Sequence, residues 1–115
     1  MRELEGEQVL LRIFLGENDR HEGRPLYQAL MEMLRKEKIA GATVLRGVAG
    51  FGAASHLHTG NLLRLSQDLP MILEAVDTEA NIQRIMPRID AMIEDGLVTL
   101  ETVRVVRYAA GRGGS

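Results

Sequence analysis

The stretch that decides the fold runs Met71-Ile72-Leu73-Glu74-Ala75-Val76-Asp77-Thr78, and then on to Ile93. Its first six residues, set off by Pro70, suit a pleated strand, with Met71 and Leu73 pointing one way and Ile72 and Val76 the other. Asp77 or Thr78 can cap a helix, and Ile82, Ile85, Met86, Ile89, Met92 and Ile93 then recur at helical spacing. Pro87 falls inside that pattern and predicts a kink or break near 83–87, while Gly96 closes the helix. A last strand is expected at Val103-Arg104-Val105-Val106-Arg107-Tyr108.

The N-terminal half repeats this outline. Gln8 to Leu15 reads as a strand with Val9, Leu11, Ile13 and Leu15 on one face, and Leu10 and Phe14 beside Arg12 on the other. A polar loop spans 16–23, and Pro25 fits the first turn of a helix carrying Leu26, Leu30, Met33 and Leu34. Gly41 is placed to end that helix in the left-handed conformation. A strand follows at 42–48, and strand-like character returns at 62–65 and again after Pro70. The order strand, helix, strand, strand, helix, strand is the split βαβ arrangement. It predicts an α+β, ferredoxin-like βαββαβ fold, an antiparallel four-stranded sheet with both helices on one face. The expected organisation is a tail at 1–7, one domain at 8–109 with a flexible loop at 53–61, and a disordered tail at 110–115.

Composition narrows the function classes. The chain has 115 residues, enough for one core, and 45% are hydrophobic but only 3% aromatic. That leaves no aromatic platform for single-stranded nucleic acid. A formal net charge of −2 lacks the basic footprint of a duplex binder. Cysteine is absent, which excludes disulfide scaffolds and thiol catalysis. No apolar run approaches the ~20 residues of a membrane span, and Met1-Arg2-Glu3-Leu4-Glu5 does not read as a signal peptide, so a cytoplasmic location is expected. Two helices cover only one sheet face, yet the first and third strands are apolar on both. Self-association through the other face, as a closed ring, is the expected remedy.

Several segments together resemble one family. They are Arg24-Pro25-Leu26-Tyr27, the run Gly41 to Gly52, Ser55, His58-Thr59, Leu65 to Pro70, Glu74, Val76-Asp77 and Gly96 to Thr99. Over roughly Val9 to Tyr108 the chain resembles the PII-like family known as domain of unknown function 190, within the PII signalling superfamily. The resemblance implies a ferredoxin-like subunit, a trimer, and a signalling protein. In that superfamily, adenine nucleotides or related effectors sit in clefts between subunits, and a loop after the second strand addresses a transporter, channel or enzyme. Gly50-Phe51-Gly52 is similar to the base of that loop, and 53–61 to the loop itself. The glycine-rich phosphate loop has no counterpart around Asp95-Gly96-Leu97-Val98, and the modified loop tyrosine has none either. Both departures argue against ATP binding in the PII manner and against uridylylation.

The residues that could carry this function each have a plainer reading. Gly50 and Gly52 let backbone N–H groups approach a ligand and Phe51 could stack on a purine; the plainer reading is a strand that bulges and turns there, with Phe51 packed into the subunit interface. Arg46, Arg104 and Arg107 have the planar fork that suits phosphate or carboxylate, against ion pairing with Glu74, Asp77 or Glu101 of a neighbouring subunit. Arg104 and Arg107 fall on opposite faces of one regular strand. Ser55 and His58 complete the candidate effector site. Ser55 lacks a hydrolase setting, and His58 is read as bonding loop backbone. His56 and His58 make half a metal site with no third ligand, so neither metal nor cofactor is expected. The loop at 17–22, with His21, lacks a nucleophile, so no catalytic residue is assigned. Against the regulatory reading stand a small ferredoxin-like enzyme acting on a phosphorylated substrate and a ligand-free structural oligomer.

Overall fold

The computed structural model describes residues 4–50 and 68–109. Its elements are β1 (Gly6–Gly16), β2 (Arg20–His21), β3 (Arg24–Pro25), α1 (Leu26–Lys36), β4 (Ala42–Arg46), β5 (Pro70–Asp77), α2 (Glu79–Met92) and β6 (Leu97–Val105). The main sheet has the order β4-β5-β1-β6 and every neighbouring pair is antiparallel. Four strands in that order with two helices on one face form the ferredoxin-like α+β fold expected from the element order.

Alternation in the two central strands builds the core. Leu11, Ile13 and Leu15 of β1 and Met71, Leu73 and Ala75 of β5 point to the helices and are buried. Leu30 and Leu34 of α1 and Ile82, Ile85 and Ile89 of α2 close over them. Each such aliphatic side chain contributes roughly 1.5–3 kcal/mol by leaving water. The stripes read from the two helical patterns are therefore the core-facing ones.

The opposite sheet face carries no helix. Register sets Phe14 between Ile72 and Leu97, and Leu10 beside Val76. Leu45 and Leu97 remain 46% and 57% exposed, so the second apolar face inferred from sequence is open in the single chain. At its centre Arg12 bonds Glu74 at 2.8 Å and Glu101 at 3.1 Å. Those bonds, the one to Glu74 foremost, hold the guanidinium above its ordinary range.

Several boundaries differ from the expectation. The polar segment at 16–23 contains half of a small hairpin, β2–β3, turned by Glu22 and Gly23, both at positive φ as a two-residue primed turn needs. Helix α1 ends five residues before Gly41. Lys38 takes the left-handed conformation (φ 62°), while Ile39 N–H bonds Leu34 O and Lys38 N–H bonds Arg35 O, a Schellman close built without glycine. Helix α2 runs unbroken through Pro87 to Met92. Gly96 lies beyond its end, where a Cβ would meet Phe14 O at 2.9 Å; its work is the close approach to β1. Strand β6 starts at Leu97, six residues ahead of the expected position, and Arg107 falls outside it. As an edge strand paired only with β1, β6 carries Thr99, Glu101 and Thr102, which mask its alternation.

Candidate functional site

The chain leaves and re-enters the described fold at one end of the sheet, around residues 50 and 68. Gly47 N–H donates to Pro70 O at 2.7 Å, carrying the β4–β5 ladder one step beyond Arg46. A Cβ on Gly47 would meet Pro70 Cγ at 2.7 Å, closer than real side chains come, so only glycine lets this backbone lie on the proline ring. On the other stem, Asn18 N–H donates to Asp68 Oδ1 at 2.9 Å and Glu17 N–H to Leu69 O at 2.8 Å. One stem is thus tied to the start of β5 and the other to the residues just past the end of β1, the two most buried strands.

Arg46 ends β4 at this same pole, and its Nη2 donates to Glu17 Oε2. Its side chain is 57% exposed, so it is open to solvent even though one carboxylate of its own chain binds the fork. The alternative partners named for the arginines, Glu74 and Glu101, are held within the chain by Arg12. Asp77 is fully buried and also engaged within the chain. Its Oδ2 accepts from Ala40 N–H at 2.8 Å, and its Oδ1 from Thr78 N–H at 2.6 Å and from Asn81 Nδ2 at 2.9 Å. Thr78 is the N-cap, accepting from Asn81 N–H at 3.1 Å.

Arg104 lies at the far pole. It pairs in register with Glu7, whereas Arg46 pairs with Met71 and through it with Leu15. Eight positions along β1 separate them, about 26 Å at ~3.3 Å per residue. Arg107 follows β6 and is exposed. Just beyond it Tyr108 donates its hydroxyl to Ala40 O at 3.3 Å. Of the sequence-derived set, then, Arg46 and Gly50 share one pole, and Arg104 and Arg107 follow the other end of the sheet. Phe51, Gly52, Ser55 and His58, with His56 and the strand expected at 62–65, lie outside the described residues. No cluster of three or more metal-ligating side chains exists among the described residues. Sequence reasoning missed Glu17, Asp68 and Pro70 as the clamp on the stems. The one available signal was Asp68-Leu69-Pro70, a turn-forming lead into a strand.

This fold is matched by known proteins. The family model DUF190, described as "Uncharacterized ACR", matches residues 8–105. The chain belongs to this family. A UPF0166 protein from Aquifex aeolicus (strain VF5) is 38% identical over 100 residues, covering 87% of this chain and 94% of that protein. A UPF0166 protein from Methanocaldococcus jannaschii is 37% identical over 99 residues, covering 85% and 91%. Among solved structures, the DUF190 chain is similar in fold to CPII from Thiomonas intermedia K12. One CPII structure, bound to ADP and bicarbonate, gives a TM-score of 0.58 at 17% identity over 88% of this chain and 90% of that one. Another, titled as a nitrogen regulatory PII-like protein bound to ADP, AMP and bicarbonate, gives 0.53 at 15% identity over 90% and 97%. At that identity the likeness concerns the fold. No helix among the described residues is long and apolar enough to cross a membrane.

Proposed function

We propose that this DUF190 chain is a PII-like regulatory protein. It assembles as a trimer through the open sheet face, binds an adenine nucleotide between subunits, and signals a partner such as a membrane transporter or channel through the loop at 53–61. The observation that carries the reading is the shared fold with CPII, whose structures hold ADP with bicarbonate and ADP with AMP and bicarbonate.

Two features of this chain support it. The open face with Phe14, Ile72, Leu45 and Leu97 needs a cover, and a second copy supplies one. Arg46 and Arg104 stand too far apart to hold one small anion within a subunit, but a ring that sets the Arg46 pole of one copy against the Arg104 pole of the next brings them together. In that cleft Arg46, Arg104 and Arg107 take the phosphates, Gly50 and Gly52 offer backbone N–H groups, Phe51 stacks on the base, and Ser55 and His58 add hydrogen bonds. Binding signals only to the extent that it favours one loop state over another. The reading assigns binding and no turnover.

Isothermal titration with ADP, AMP and ATP tests it. Saturable binding of at least one nucleotide is expected, with Arg104→Ala weakening it tenfold or more, about 1.4 kcal/mol. Flat titrations across the panel overturn the reading.

A further inference from the structure

Between the outer surfaces of α1 and α2 runs a groove of about 1100 Å³, with the β2–β3 hairpin at its margin. Its floor is apolar. Ala29 and Met33, one turn apart on α1, share it with Pro87 and Ala91, one turn apart on α2. The two alanines keep the floor low enough for another backbone to approach, and the exposed Pro87 adds an apolar ring to α2's side. The rim is cationic. Arg24, Arg35, Lys36 and Arg88 outnumber Glu22 and Glu32 there, on a chain whose formal net charge is −2. Positive charge is therefore concentrated at this groove while the rest of the chain is acidic. Arg24 is bound to Glu32 at 2.6 Å and Arg88 to Glu37 at 2.6 Å. The side chains of Arg35 and Lys36 make no hydrogen bond or ion pair among the described residues, and Lys36 acts on Glu32 only through its charge. Their place in the last turn of α1 suits the helix dipole, which accounts for cations there but not for the apolar trough beside them.

We propose that this groove docks an acidic amphipathic helical segment of a partner protein. The partner's apolar stripe lies on the alanine–proline floor, and its carboxylates meet Arg35 and Lys36. The helices lie on the face opposite the open sheet, so assembly through that sheet leaves the groove outward. The proposal stands whether or not the chain binds a nucleotide.

Fluorescence anisotropy tests it with a fluorescein-labelled peptide of about 16 residues, roughly 24 Å as a helix, carrying Leu and Ala at positions i, i+3, i+4 and i+7 and Glu elsewhere. Two controls are a peptide with Lys in place of Glu and a scrambled peptide of the acidic composition. The acidic amphipathic peptide is expected to bind at least tenfold more tightly than either control, and to weaken as salt rises. The double variant Arg35→Glu/Lys36→Glu and the floor-filling Ala91→Leu, each with unchanged far-ultraviolet circular dichroism, are each expected to lose tenfold or more. Equal binding of the scrambled acidic peptide, absence of binding, or indifference to both variants overturns the proposal.

Discussion

Replacing Asp77 isolates the contact that fixes the start of α2 to the approach of β4. Its carboxylate is fully buried and accepts from Ala40 N–H, Thr78 N–H and the Asn81 amide at 2.6–2.9 Å. Asp77→Ala strips an acceptor from all three donors and leaves two backbone N–H groups short of a partner. At roughly 1–2 kcal/mol for each bond to a charged acceptor, after allowing for water entering the gap, the loss is about 3–5 kcal/mol. That is a large share of the 5–15 kcal/mol typical of a small protein. Asp77→Asn keeps the shape and the Oδ1 contacts but sets an amide nitrogen against Ala40 N–H, which costs about 1.5–3 kcal/mol. Urea unfolding at one fixed protein concentration, with the slope compared to wild type, reads both values. A loss under 1 kcal/mol for Asp77→Ala, or an Asp77→Asn variant no more stable than Asp77→Ala, refutes the reasoning.

Gly47→Ala forces a Cβ to within 2.7 Å of Pro70 Cγ, so it is expected to destabilise by about 1–3 kcal/mol in urea and to weaken nucleotide binding by calorimetry. Lys38→Gly relieves a left-handed φ of 62° and is expected to raise stability by roughly 0.5–1 kcal/mol in the same assay. Ile72→Asp changes a half-buried residue of the open face and spares the core beneath the helices; light scattering is expected to find the 12.7 kDa monomer, with the circular dichroism of the wild type. Glu32 titrates below its ordinary 4.5 because Arg24 bonds and charges favour the carboxylate. Its small contribution is present above that ordinary value and lost as pH falls through the lowered one; NMR titration of the side chain is expected to show the shift, and Arg24→Ala to remove most of it.

The fold was legible because burial imposes its period on the chain. Met71, Leu73 and Ala75 alternate as the core demands, and Ile82, Ile85 and Ile89 repeat as a helix against a sheet demands. The start of strand β6 was not, since an edge strand with one neighbour tolerates Thr99, Glu101 and Thr102 and loses that period. Lys38 in a glycine's conformation was equally unreadable, because tertiary packing supports a backbone state that local preference disfavours. Of the site, Arg46 could be picked out by its chemistry. Its pairing with Glu17, 29 positions away, could not, and neither could its separation from Arg104, because both follow from strand order and not from spacing.

Native mass spectrometry of the purified chain with increasing ADP reads subunit count and ligand occupancy in one spectrum. Assembly through the bare sheet surface with messenger sites between copies predicts a species near three times 12.7 kDa that gains up to about three nucleotides, while any 12.7 kDa species stays empty. A lone chain that takes up ADP as readily as the assembly, or a trimer that never takes it up, contradicts the account.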